Sequence, residues 1–68
     1  MRKDIIVQKD KRFPVEKYIQ AEKIFEDKVR LYIGHAFYGG RDIRFNELWI
    51  DLDRNEIIKL IEELSKFK

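Results

Sequence analysis

The sequence predicts an α+β fold: an antiparallel meander of three or four strands, followed by one C-terminal amphipathic helix packed on one sheet face. Three observations carry that prediction. Ile57, Ile58, Leu60, Ile61, Leu64 and Phe67 recur at helical spacing and form one apolar stripe. Val29, Leu31 and Ile33 alternate with Lys28, Arg30 and Tyr32, the two-residue period of a half-buried strand. Gly39-Gly40 follows, offering the positive φ that a tight reversal requires.

Taken in order, the 68 residues read as one small domain. Residues 1–12 form a basic N-terminal arm or edge strand, in which Ile5, Ile6 and Val7 supply a short strand and Lys9–Arg12 discourage edge-to-edge pairing. Residues 13–52 form the sheet. Within it, Val15–Asp27 has two readings. Pro14 can open a helix that Val15, Tyr18, Ala21 and Phe25 roughly suit. Read as a strand, Tyr18–Phe25 joins the next strand through a turn at Glu26-Asp27-Lys28, and this reading needs no extra layer. The return strand, about Asp42–Leu52, has Ile43 and Phe45 in one phase and Leu48, Ile50 and Leu52 in the other. That slip predicts a β-bulge at Asn46-Glu47. Residues 53–67 form the capped helix: Asp53 as N-cap, Glu56 completing a capping box, and Leu52 with Ile57 as a hydrophobic staple. Glu62 and Lys66 make an i,i+4 pair on its outer face.

Composition narrows the function classes. Hydrophobic residues make up 44% and charged residues 41%, too apolar for a disordered chain and too charged for a membrane protein. The first residues, Met-Arg-Lys-Asp, lack the apolar stretch of a signal peptide, so a cytoplasmic protein is expected. Cysteine is absent, which removes disulfides and thiolate metal sites, and one histidine does not make a zinc site. A chain this short has a marginal core, and self-association is the remaining stabilising device. A homodimer is therefore expected. The Lys, Glu and Ile content suits a thermophile, and an AT-rich mesophile or phage gives the same composition.

The positive charge is concentrated in the arm. Arg2, Lys3, Lys9, Lys11 and Arg12 stand against Asp4 and Asp10, a balance of +3, whereas the whole chain carries +2. The opposite sheet face is expected to show Lys28, Arg30, Tyr32 and Tyr38, joined by Arg44 and Trp49, and by Tyr18 if its segment is a strand. Cations that track phosphates, interleaved with rings that stack on bases, suit single-stranded nucleic acid. Tyr and Trp equally favour protein interfaces. His35 reads as a hydrogen-bonded structural residue, and Asp51 is left alone once Asp53 serves as a cap. Ser65 lies in the last helical turn without a base in reach, and Gly39-Gly40-Arg41-Asp42 lacks the helix of a phosphate cradle.

Leu48-Trp49-Ile50-Asp51-Leu52-Asp53 running into Asn55-Glu56-Ile57-Ile58 is similar to a transcriptional coactivator domain. That resemblance implies a curved meander ending in a helix, and a dimer that binds single-stranded DNA. No site residue is carried over from it.

The expectation is thus a non-enzymatic, dimeric nucleic-acid-binding protein without cofactor or metal. Its site would be Arg2, Lys3, Lys11, Arg12, Lys28, Arg30, Tyr32, Tyr38, Arg44 and Trp49. The rival is a protein-interaction module, such as a small phage or mobile-element regulator or inhibitor, using the same aromatic face or the sheet edge.

Overall fold

The computed structural model describes residues 1–38 and 44–68. Strands β1 (Lys3–Lys9), β2 (Val15–Phe25), β3 (Lys28–Phe37) and β4 (Arg44–Asp53) precede helix α1 (Arg54–Ser65). The strands form one antiparallel sheet in the order β1-β2-β3-β4, so each pairs with its neighbour in sequence. The α+β meander followed by a helix is therefore the fold. The glycine reversal at Gly39-Gly40, with Arg41, Asp42 and Ile43, lies outside the described residues.

Val15–Phe25 is a strand. A helix there would have left β3 without a partner on that side, whereas β2 pairs with it from Val15↔Phe37 to Lys23↔Val29. Pro14 does not open a helix; its carbonyl instead accepts a hydrogen bond from the Tyr38 N–H at 2.8 Å. Glu26-Asp27 makes the short turn into β3. The basic arm is largely the edge strand β1, and Asp10 shapes the turn after it by accepting from the N–H groups of Arg12 (2.7 Å) and Phe13 (3.3 Å).

Irregularity falls elsewhere than expected. The β3–β4 register runs unbroken from Phe37↔Arg44 to Lys28↔Asp53, so there is no bulge at Asn46-Glu47. Phe45 simply takes the same face as Glu47, Trp49 and Asp51. The register shifts lie between Asp4 and Ile6 in β1, and between Lys23 and Phe25 in β2. The first of these turns Asp4 and Arg2 to the opposite face from the one that Ile6 and Gln8 occupy.

The helix does not lie across the sheet. It begins at Arg54, directly after the last residue of β4, and touches the sheet at the end of that strand. The reason is the cap: Glu56 N–H donates to Asp53 Oδ1 at 2.9 Å, and Asp53 N–H donates to Glu56 Oε1 at 3.0 Å. This capping box sets the first turn at the strand end, leaving no loop in which the chain could double back. Leu52 and Ile57 are half-buried at the junction, whereas Ile58, Ile61, Leu64 and Phe67 face outward. On the outer face Lys66, the C-cap residue, pairs with Glu63 at 3.1 Å and not with Glu62.

The result is a slab of 42 × 30 × 15 Å. Its radius of gyration is 14.3 Å, against about 11 Å for a compact domain of this length. Tyr32 and Ala36 are the only buried residues among those described, at 4% and 1% exposure. No described helix is long and apolar enough to cross a membrane.

Candidate interaction surfaces

Side-chain alternation gives the sheet two chemically distinct faces. Register places Tyr18, Gln20 and Glu22 of β2 beside Gly34, Tyr32 and Arg30 of β3, which in turn sit beside Glu47, Trp49 and Asp51 of β4. This is the aromatic face, and its two guanidinium groups are matched by carboxylates. Arg2 lies over the Tyr32 ring, 3.6 Å from its centre, and forks onto Glu47 through two bonds of 2.9 and 3.1 Å. Arg30 lies 4.1 Å from the centre of the Trp49 ring and forks onto Asp51 at 2.7 and 3.1 Å. Tyr32 donates its hydroxyl to Glu22 at 2.8 Å, and Tyr18 donates to Glu47.

The titration behaviour follows from these contacts. The Tyr18 phenol is pushed up to about 12, first because it donates to Glu47 and then because it is partly desolvated. Glu47 is held below the usual carboxylate range by the hydroxyl of Tyr18 and the guanidinium of Arg2. Asp51 is lowered by Arg30, and Glu22 by the hydroxyl of Tyr32. Hydrogen bonds to the charged form favour that form, so these carboxylates remain ionised as partners of the cations.

The predicted site residues are therefore divided. Lys28, Arg30, Tyr32 and Trp49 do share a face, and Tyr38 lies at its rim in a hollow with Arg2 and Tyr18. Arg44 does not join them. Without the bulge it pairs with Phe37 and belongs to the opposite face. Lys3 pairs with Ala21 on that opposite face too, while Lys11 and Arg12 are exposed in the turn after β1. Tyr32 is roofed by Arg2 and has no ring face open for stacking; Trp49 remains 57% exposed.

The second face is aliphatic. Ile6, Ile19, Ile33 and Leu48 follow one another across the four strands, with Leu31, Ile50 and Leu52 beside them. The helix was expected to cover Val29, Leu31, Ile33, Leu48, Ile50 and Leu52 of this face, and it touches the sheet at the end of β4 instead of crossing it. Leu48 is 79% exposed, and Ile33 and Ile50 are each 54% exposed. A hollow of about 560 Å³ runs across the face, lined by Ile6, Lys17, Ile19, Ile33, His35 and Leu48. His35 has a structural bond here, its Nε2 accepting from Asn46 Nδ2 across the ladder at 3.2 Å. Among the described residues no group of three or more His, Asp or Glu is placed to hold a metal ion.

Sequence reasoning missed Glu47 and Glu22 as partners of the aromatic face. Tyr18, Gln20 and Glu22 alternate within one strand, so that signal was present. The register that brings Glu47 to Tyr18 and Arg2 was not. No family model, curated protein or solved structure matches this chain. The likeness of Leu48–Ile58 to a coactivator domain thus has only those residues to rest on.

Proposed function

We propose that the chain is a small, non-enzymatic protein-interaction module whose working surface is the aliphatic sheet face. One observation carries this reading: a contiguous aliphatic patch, from Ile6 to Leu48 and Ile50, stands open across the sheet. Monomeric proteins rarely present such patches unless a partner uses them. The aromatic face supports the reading from the other side, since its guanidinium groups are already matched by Glu47 and Asp51.

A second reading, single-stranded nucleic acid, is favoured by Trp49, which is exposed beside Arg30. A base could stack on that ring while Lys28, on the same face, meets a phosphate. One experiment separates the two. A photo-reactive phenylalanine analogue is placed at Leu48 or at Trp49, on opposite faces, and its adducts are identified by mass after irradiation in cells. Protein adducts of defined mass from position 48 support the module. Nucleic-acid adducts from position 49, with no protein adduct at 48, replace it with the second reading.

A further inference from the structure

The structure leaves two apolar surfaces of one chain uncovered, the aliphatic sheet face and the stripe of α1. Resting on the interaction reading above, we propose that they cover each other between two copies of this chain: each helix seats on the sheet of its partner.

Area is the first argument. The chain exposes 6345 Å², whereas a compact monomer of its 8.4 kDa mass exposes about 4,600 Å². The excess, about 1,700 Å² per chain, is what each member of an obligate homodimer typically removes from water. Among the described residues only Tyr32 and Ala36 are buried, and neither is a large aliphatic side chain. A second copy supplies an aliphatic core.

Shape selects the arrangement. The aliphatic face is hollowed along Ile6, Ile19, Ile33 and Leu48, so two such faces pressed together would enclose a void, which packing disfavours. A helix is the convex element that fits. Twelve residues span about 18 Å, close to the width of four strands at about 4.8 Å spacing. The helix cannot reach the hollow of its own chain, because it leaves directly from the end of β4. Exchange with a two-fold partner satisfies both surfaces by the same contact made twice.

Charge agrees with shape. The strand residues of the aliphatic face include Lys3, Lys17, Lys23 and Arg44, and register puts no Asp or Glu of the described strands among them. Glu62 flanks the helix stripe one turn after Ile58, while Arg54 stands at the strand end of the same stripe, one turn before Ile57 and Ile58, so the favourable charge pairing is confined to the C-terminal part of the helix.

The test begins with the full chain in light-scattering chromatography, where a mass of twice 8.4 kDa is expected. Ile61→Asp and Ile33→Lys are expected to weaken the dimer about a hundredfold or more when alone. An equimolar mixture of the two should recover a heterodimer, identified by native mass, since one of its two helix–sheet contacts then pairs Asp with Lys and the other is intact. Should either variant fail to fold, Ile61→Cys and Leu48→Cys chains are mixed and oxidised, the protein having no other cysteine. A heterodisulfide in excess over both homodisulfides supports exchange, whereas a dominant Leu48→Cys homodisulfide places sheet on sheet and overturns it. A dimer indifferent to Ile61→Asp also overturns it. A monomeric wild-type chain overturns the second copy as occupant; foreign-protein adducts at position 48 would then leave the module reading standing, and their absence would remove both.

Discussion

Tyr18 and Gly34 share one space on the aromatic face. A Cβ at position 34 would lie 2.7 Å from the Tyr18 hydroxyl oxygen and 2.8 Å from the Asn46 carbonyl oxygen. The tyrosine ring can therefore cross β3 only because position 34 has no side chain, and crossing it is how the hydroxyl reaches Glu47 on β4. The arrangement predicts a pH response. The fold favours the protonated phenol, so its stabilising contribution is complete below the ordinary tyrosine value of about 10. That contribution is lost as pH rises through the raised value of about 12. In an ultraviolet titration one of the three tyrosines should ionise near 12, and Glu47→Gln should bring it back toward 10. A late-titrating tyrosine that ignores Glu47→Gln would mean that burial, not the hydrogen bond, causes the shift.

At the scale of elements, what could be read from the sequence follows a physical divide. Local rules were sufficient for α1, whose start is written in Asp53 and Glu56, and for β3, whose alternation is unbroken. The same cap yields a prediction: Asp53→Ala should cost about 1 kcal/mol, measured by denaturant unfolding and accompanied by lost ellipticity at the helix start. An unchanged midpoint would show that the junction with β4 holds the helix without its cap. Non-local choices were not readable. The phase change between Phe45 and Leu48 resembles a bulge in one strand considered alone, but the continuous ladder to β3 accommodates both phases by exposing Phe45 on the aromatic face. The shift after Asp4, hidden in the uniform run Ile5-Ile6-Val7, sends Arg2 over Tyr32 and so removes that ring from the expected platform. The aliphatic set was read correctly as one face, with Val29, Leu31 and Ile33 of β3 beside Leu52, Ile50 and Leu48 of β4. The helix expected over it leaves in a direction that the capping box sets and periodicity does not.

For the whole molecule, the proposed exchange makes stability and assembly one quantity. A sheet with one aliphatic face open, and a helix with its stripe open, must order 68 residues at a conformational cost of about 1–2 kcal/mol each for the backbone alone. The two residues buried among those described do not offset that cost, so folding should be coupled to association. Mass action then makes the melting temperature depend on concentration. A tenfold increase in chain concentration adds about 1.4 kcal/mol per dimer, which for two chains of this length corresponds to a rise of about 5 °C. Melting followed by far-ultraviolet circular dichroism over a hundredfold concentration range should therefore move upward by about 10 °C. The Ile61→Asp chain should show a lower and less cooperative transition at every concentration. A sharp melting temperature that does not change across that range would require the isolated slab to be stable alone, and the apolar surface on both of its elements would then need an explanation other than a folding partner.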